Sequence, residues 1–133
     1  MVWQNVCLMC YISDMEIVVG KTVAGQKIGR EIGFPTVNVV YAGETKGVFA
    51  GRVFYAGEWH VAAINVGGRP TVDKVQNLCE AFLLNWQGDI PAGSDVEIEL
   101  VQRIRDIKKF ENFDELKAQI SKDVEFVKTC YNI

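Results

Sequence analysis

The hydrophobic period of this chain changes once, shortly after Phe110, and that change constrains the fold more than any other feature. From Asp95 to Ile104 apolar residues alternate with glutamates, which is typical of an antiparallel strand with one solvated face. From Phe113 to Tyr131 apolar residues recur at intervals of three and four, which predicts an amphipathic helix. Asn112, with Glu115 three residues later, supplies a variant of the capping box at its start.

Five earlier segments are rich in β-branched and aromatic residues and are bounded by turn residues, as strands are. They are Glu16 to Val19, which could extend to Val23, Phe34 to Tyr41, Gly47 to Tyr55, Trp59 to Val66 and Leu78 to Trp86. The third and fourth are expected to form a hairpin across Ala56-Gly57-Glu58, and Gly67 to Thr71 is expected to interrupt the strand pattern. Strands in series followed by one helix favour an antiparallel barrel or a strongly curled sheet plugged by that helix.

The length and charge of the chain limit its partners. A chain of 133 residues is long enough for one domain with a single core, and we expect residues 1–15 to be an N-terminal extension and residues 16–133 to be that domain. The net charge of −3 argues against nucleic-acid or acidic-membrane partners, because both favour a basic surface. No apolar run is long enough to cross a bilayer.

The four cysteines are too sparse for a disulfide framework, and no secretory signal precedes them, which favours a cytoplasmic location. Cys7 and Cys10 form a C-x-x-C, but there is no second pair, and His60 is the only histidine. Zinc or redox use is therefore indicated less strongly than a role as small apolar residues in the extension.

The stretch from Gly20 to Asn38 has the composition of an anion-binding loop. Three glycines with two basic residues between them allow the backbone to approach an anion closely: Gly25, Gly29, Gly33, Lys27 and Arg30. Thr36 and Asn38 would share one face of a strand, where a hydroxyl and an amide oxygen suit Mg²⁺. The alternative is a glycine-rich turn with no ligand, since the spacing matches neither the Walker loop nor the dinucleotide fingerprint.

Glu80 is the only ionisable residue in the apolar run from Leu78 to Leu84. A desolvated carboxylate there could act as a general base, or it could face solvent at a barrel rim, and the sequence leaves both interpretations open. Basic residues cluster at the end of the last strand, where a solvated surface is the default: Arg103, Arg105, Lys108 and Lys109. Trp86 and Phe110 could cover a planar ligand, although such aromatics are more often core residues.

Five motifs occur here in one order. They are G-x-x-x-x-G-x-x-x-G-R-x-I-G-F-P-T-x-N from Gly20, G-V-F-A-G-R-V from Gly47, I-N-V-G-G-R-P-T from Ile64, C-E-A-F-L-L-N-W from Cys79 and R-I-R-D-I-K-K-F from Arg103. From about Glu16 to its C-terminus the chain thereby resembles the riboflavin kinase (flavokinase) family, which in many bacteria forms part of a bifunctional FAD-synthesis protein. The resemblance implies a mainly β fold, a six-stranded antiparallel closed barrel of Greek-key type with a C-terminal helix.

The resemblance also implies the reaction and the residues that perform it. The γ-phosphoryl of Mg-ATP would move to the ribityl 5′-hydroxyl of riboflavin, giving FMN and ADP, with Glu80 as the catalytic base. ATP would be bound by Gly25, Arg30, Thr36 and Asn38, of which the last two would hold the Mg²⁺. Flavin contacts would come from Leu83, Asn85, Arg105, Lys108 and Phe110.

The partners implied are riboflavin or FMN and ATP or ADP, without nucleic acid or membrane. We expect a monomer, which could be part of a longer bifunctional protein, and no FAD synthesis from this chain itself. The alternative is a barrel that binds flavin or nucleotide and has lost the chemistry.

Overall fold

A computed structural model of the chain describes residues 16–24, 33–70, 75–86 and 88–133. Six strands are followed by one helix in these residues: β1 (Glu16–Lys21), β2 (Thr36–Val40), β3 (Gly47–Tyr55), β4 (Glu58–Pro70), β5 (Val75–Leu83), β6 (Asp95–Arg105) and α1 (Phe113–Tyr131). The predicted extension, residues 1–15, lies outside the described residues, and the proposed domain boundary stays a prediction.

The six strands form one antiparallel sheet in the order β1-β6-β3-β4-β5-β2. Strands β3, β4 and β5 are consecutive neighbours and β6 returns beside β3, which is the Greek-key order. The prediction of six antiparallel strands with a C-terminal helix is therefore confirmed.

The prediction of a fully closed barrel was wrong, because the sheet is a curled half-barrel. Two residues just after β1 make the described backbone contacts with β2. Thr22 forms an isolated bridge with Val39, and Val23 N donates to Asn38 O at 2.7 Å. All six residues of β1 pair with β6 instead, and the bridge to β2 is made by Thr22, just after the end of β1.

Side chains connect the rest of this seam. The Tyr41 hydroxyl donates to Glu16 Oε2 at 2.6 Å, and the Thr45 hydroxyl donates to Glu16 Oε1 at 2.8 Å. The Thr45 backbone N–H donates to the Tyr41 oxygen at 3.2 Å. Hydrogen bonds to one carboxylate thus join the start of β1 to the segment after β2.

The two faces of the sheet pack into two separate apolar clusters. The interior cluster fills the concave face, and its members include Val37, Val39, Phe49, Ile64, Val66, Ala81, Leu83, Ile98 and Leu100. The helix cluster lies on the convex face under α1, and its members include Ala50, Ala63, Phe82, Val101, Ile120, Val124 and Val127. Side chains alternate between the two faces along a strand. Glu80, two residues before Phe82 on β5, therefore faces the helix and not the interior.

Two strand predictions need correction. The segment from Gly67 was expected to interrupt β4, but β4 continues to Pro70 because Gly67 and Gly68 keep their pairing with β5, opposite Leu78 and Asn77. Strand β5 correspondingly begins and ends three residues before the predicted bounds.

The outward face of β6 is only partly solvated. Glu99 is 7% exposed and forms an ion pair of 3.2 Å with Arg52, whose guanidinium lies 4.0 Å from the centre of the Trp59 ring. A charged partner on β3 thus allows this glutamate to be buried.

The predicted hairpin and helix start are both confirmed. Tyr55 pairs with Glu58 across a two-residue turn, in which Ala56 and Gly57 have φ values of 54° and 80°, as a type I′ turn requires. Asn112 caps α1, since its side-chain oxygen accepts from the Glu115 N–H at 2.9 Å.

Candidate functional site

Polar side chains align across the convex face of the sheet. Asn38 on β2 pairs with Glu80 on β5, and Glu80 pairs on its other side with Asn65 on β4. Asn65 pairs with Val48 on β3, and Val48 pairs with Arg105 on β6. Cross-strand partners present their side chains on one face, so these five positions form a continuous row. We call it the polar row, because all of its members except Val48 carry polar side chains.

Thr36 lies on the same face, two residues before Asn38. It pairs with Phe82, which belongs to the helix cluster. Thr36 and Asn38 therefore share one face of β2, as their spacing predicted, and the structure shows that Glu80 lies on that face too.

A cavity of about 180 Å³ opens between the polar row, the helix and the segment that joins β6 to α1. We call it the helix-side cavity. It is lined by Val48, Ala63, Asn65, Glu80, Phe82, Arg105, Ile107, Lys108, Phe110, Leu116, Ile120 and Asp123. Glu80 is half-buried, and its Oε2 atom is shielded from solvent. Of the two interpretations of Glu80, the structure favours a carboxylate in a cavity over one on an open rim.

Basic and aromatic groups form the opposite wall of this cavity. Arg105 pairs with Asp123 of the helix at 2.8 Å, and its guanidinium lies 6.0 Å from the centre of the Phe110 ring. The Lys108 ammonium lies 5.7 Å from the same ring. This wall combines a flat apolar surface with hydrogen-bond donors, which suits a planar ligand with polar edges.

The segment that carries this wall is seated on β4. A Cβ atom on Gly67 would overlap Cδ1 of Ile107, so the absence of a side chain at Gly67 makes room for Ile107. Glycine at this position therefore contributes to the shape of the cavity.

Asn38 has a buried side-chain oxygen. It is 3% exposed, and its Oδ1 atom accepts no hydrogen bond from the residues that the structure describes. A buried oxygen of this kind is available to a cation, and Mg²⁺ takes few protein ligands beside phosphate oxygens and water. Within the described ranges no group of three or more His, Cys, Asp or Glu side chains could hold a metal ion. The oxygen donors of Thr36 and Asn38 on this face are thus a hydroxyl and an amide, both of which are ligand types that Mg²⁺ accepts.

Four of the predicted site residues that the structure describes do not line the helix-side cavity, namely Thr36, Asn38, Leu83 and Asn85. Leu83 is fully buried in the interior cluster, and its N–H donates to Pro35 O at 2.9 Å. Asn85 is exposed just beyond β5. Neither lines the helix-side cavity, and their flavin contacts stay predictions. Gly25 and Arg30 lie outside the described residues.

Two polar residues that line the cavity were not predicted as site residues. Asn65 was predicted as part of the strand from Trp59 to Val66 and not as a site residue, and it lies within β4 opposite Glu80. Asp123 is 4% exposed although it carries a carboxylate. Its position seven residues after Leu116, on the apolar face of the predicted helix, was the available signal.

The groups that carry raised pKa values in the described residues include two that lie away from this cavity. Burial in the interior cluster, with a smaller contribution from the Glu16 charge, raises the pKa of the Cys79 thiol to about 12. Burial and the hydrogen bond to Glu16 raise the pKa of the Tyr41 hydroxyl.

Comparisons with known proteins relate the chain to one family. The family model of riboflavin kinase (flavokinase) matches residues 15–131. A bifunctional riboflavin kinase/FMN adenylyltransferase of Haemophilus influenzae is 40% identical over 119 residues, which cover 86% of this chain and 38% of the relative. The Escherichia coli protein of the same description is 39% identical over 108 residues, covering 78% of this chain and 34% of the relative. The chain thus spans little more than a third of these relatives' length.

Two further similarities extend this comparison. An RNA-binding riboflavin kinase of Bacillus subtilis is 33% identical over 116 residues, covering 85% of this chain and 50% of the relative. A solved structure described as a macrolide-efflux protein of Streptococcus pneumoniae has a TM-score of 0.72 at 30% identity, covering 84% of this chain and 38% of that chain. Among the residues that the structure describes, no helix is both long enough and apolar enough to cross a membrane.

Proposed function

This chain belongs to the riboflavin kinase family, and on that premise we propose that it transfers the γ-phosphoryl of Mg-ATP to the ribityl 5′-hydroxyl of riboflavin, giving FMN and ADP. One observation carries the proposal. Glu80 lines the helix-side cavity between Asn38 on one neighbouring strand and Asn65 on the other. A carboxylate thus lies between a polar corner suited to phosphate and magnesium and a wall suited to a planar ligand.

Glu80 is the general base of the proposed reaction. As the 5′-oxygen of riboflavin bonds to the γ phosphorus, the hydroxyl proton passes to the Glu80 carboxylate. The bond from the γ phosphorus to the β–γ bridging oxygen breaks, and ADP leaves with that electron pair. A positioned general base contributes about a hundred- to ten-thousandfold to such a step. Positioning and charge neutralisation supply most of the remainder in phosphoryl transfer.

The triphosphate end of the site is assigned to Thr36 and Asn38. Their oxygens lie on the face of the sheet that carries Glu80, and the buried Oδ1 of Asn38 is available for coordination. With ATP, Mg²⁺ held by these two residues would neutralise charge on the phosphates. Gly25 and Arg30 are proposed to contact the phosphates from the preceding loop.

The flavin end is assigned to the wall formed by Arg105, Lys108 and Phe110. The ring of Phe110 offers a stacking surface, and the guanidinium of Arg105 offers donors for the ring carbonyls of the flavin. Leu83 and Asn85 are proposed as further contacts. The FMN adenylyltransferase activity in the relatives' names is not part of this proposal, and a monomeric state and a cytoplasmic location stay predictions from the sequence.

The test of this proposal is FMN formation by the wild-type chain and by Glu80→Gln. The protein is incubated with riboflavin and Mg-ATP, and FMN is measured by chromatography. Glu80→Gln is expected to reduce turnover at least about a hundredfold, because the amide cannot accept the proton. The dissociation constants of riboflavin and ATP are expected to stay within about threefold, because the side chain keeps its shape and size.

Glu97→Gln is the matched control, because Glu97 is an exposed glutamate on β6 that does not line the cavity. It is expected to keep wild-type turnover. Near-normal turnover in Glu80→Gln would remove Glu80 from its role. Binding of both ligands by the wild-type chain with no FMN formed would instead favour a non-catalytic flavin- or nucleotide-binding protein.

A further inference from the structure

We propose that Asp123 is a positioning residue for riboflavin, which acts by fixing the guanidinium of Arg105 in the wall of the helix-side cavity. The inference rests on the proposed function and deepens it, since it assigns the helix a part in substrate recognition. Asp123 is 4% exposed and lines the cavity, and it lies on α1 next to Val124 of the helix cluster. A carboxylate is seldom buried in such a position without a charged partner.

The contact between Asp123 and Arg105 is bidentate. Arg105 Nε donates to Asp123 Oδ1 at 3.0 Å, and Arg105 Nη2 donates to Oδ2 at 2.8 Å. Gln119, one turn earlier on α1, donates its amide to Oδ1 at 3.1 Å. Two parallel hydrogen bonds fix the plane of a guanidinium as well as its distance, which a single contact would not do.

The same guanidinium holds the segment between β6 and α1. Its Nη1 atom donates to the backbone oxygen of Asp106 at 3.0 Å, and Phe110 follows in that segment. The hydrogen bonds of Arg105 to other described residues therefore use three of its five N–H groups. Two N–H groups remain for a ligand, and their direction is set by Asp123.

Asp123 also determines the charge at Arg105, the residue of this wall that it contacts. Its carboxylate neutralises the guanidinium, so Arg105 presents donors without a net positive charge. At the position of Arg105, such a pair favours a neutral ligand group with carbonyl acceptors, which the ring system of riboflavin carries, over a phosphate or carboxylate group. We therefore assign the Asp123–Arg105 pair to recognition of the flavin ring.

The test is Asp123→Asn, assayed for riboflavin and ATP separately. The amide cannot form the charged bidentate contact, so Arg105 is expected to lose its fixed orientation. We expect the KM for riboflavin to rise about tenfold, a size typical of losing a hydrogen bond to a charged group. The kcat and the KM for ATP are expected to stay within about twofold, because Glu80 and Asn38 are unaffected. A merely structural role would lower the melting temperature and move both KM values together.

Glu125→Gln is the matched control, since it makes the same change of group on an exposed residue of α1 outside the cavity. It is expected to leave both KM values unchanged. Gln119→Leu is the milder second variant, which removes one donor to Asp123 and is expected to raise the riboflavin KM about two- to threefold. If Asp123→Asn does not fold, this variant decides the question.

The dissociation constant of riboflavin, measured by quenching of its own fluorescence, separates this inference from the proposed function. A wild-type chain that binds riboflavin but makes no FMN would overturn the proposed activity, and the variants would still test Asp123 by binding. An unchanged riboflavin affinity in Asp123→Asn, or in Gln119→Leu where the first variant does not fold, would overturn the inference. Equal losses of riboflavin and ATP affinity would overturn it as well.

Discussion

Thr36 and Asn38 lie two residues apart on β2 and are the proposed ligands of one Mg²⁺ ion. Both side chains point to the convex face, and Asn38 lies directly opposite Glu80. The separation of the proposed metal ligands from the proposed base is therefore set by the backbone ladder and not by flexible side chains. An error of one residue in the register would turn these groups toward the interior cluster.

Thr36→Ala is expected to weaken Mg-ATP binding about tenfold and to leave riboflavin binding within about twofold, because the hydroxyl lies at the phosphate end of the proposed site. Separate titrations of the two ligands measure this. Thr36→Ser keeps the hydroxyl and should restore most of the affinity for Mg-ATP. Thr129→Ala, which removes an exposed hydroxyl near the end of α1, should change neither affinity. Equal weakening of both ligands by Thr36→Ala would contradict the assignment.

The residues of the candidate site differ in how far the sequence could predict them. Glu80 was identifiable because it interrupts an apolar run, and Thr36 and Asn38 because they are two apart. Arg105, Lys108 and Phe110 were assigned by resemblance, and the structure brings them to one cavity. The position of Asp123 on the apolar face of the helix was visible in the sequence, but its pairing with Arg105, 18 residues earlier on another element, was not. Local patterns carry no information on such a pair.

At the scale of the elements, α1 forms one wall of the candidate site as well as a cover for the sheet. Ile120 packs in the helix cluster and lines the cavity, and Asp123 lies one turn further along. The position of the helix start therefore affects both the stability of the fold and the shape of the cavity. Glu115 strengthens that start, since its carboxylate also accepts from the Glu111 N–H at 3.2 Å.

Asn112→Ala is expected to lower the free energy of unfolding by about 1 kcal/mol, because the helix loses its N-cap acceptor. Urea unfolding followed by circular dichroism measures this change. Asn112→Asp should keep most of the stability, since aspartate caps equally well and adds a negative charge at the positive end of the helix dipole. Loss of stability in the aspartate variant as large as in the alanine variant would show that the cap is not the cause.

The sequence predicted the elements better than their ends. Strand β3 and helix α1 have the predicted bounds because each is limited by strong local signals, a turn or a cap. The continuation of β4 to Pro70 was not predicted, because glycines disfavour strands locally. Pairing with β5 overcomes that preference. The absence of a side chain at Gly67 also leaves room for Ile107.

At the scale of the whole molecule, the sheet curls without full closure. The sequence could indicate a barrel or a curled sheet but could not distinguish them, because the seam between β1 and β2 joins residues whose pairing no local pattern specifies. In the structure this seam depends on one bridge and on the carboxylate of Glu16. The same carboxylate contributes to the raised pKa of Cys79.

The stability of the fold is expected to decrease with pH above about pH 9. The ordinary pKa of a cysteine thiol is 9.0 and that of Cys79 in the fold is about 12, so between these values the folded state keeps a proton that the unfolded state loses. The free energy of unfolding then falls by up to about 1.4 kcal/mol per pH unit for this one group. Tyr41, whose pKa is also raised, acts in the same direction.

Urea unfolding in reductant at several pH values from about 8 to about 11 measures this dependence. Cys79→Ala should be less stable than the wild type at about pH 8, because a buried group is truncated, and its stability should fall less steeply at higher pH. Parallel curves for the two proteins would contradict the role of Cys79.

The polar row lies on the convex face, outside the interior cluster, and this placement has an evolutionary consequence. Substitutions at Glu80 or Asn38 are expected to abolish the proposed phosphorylation of riboflavin and to leave the interior cluster intact, because neither side chain belongs to that cluster. Descendants of such a protein are free to be recruited to other tasks. Sequence similarity therefore predicts the fold of a homologue more reliably than its activity. Retention of Glu80 and Asn38 is the better guide to whether a homologue has the activity.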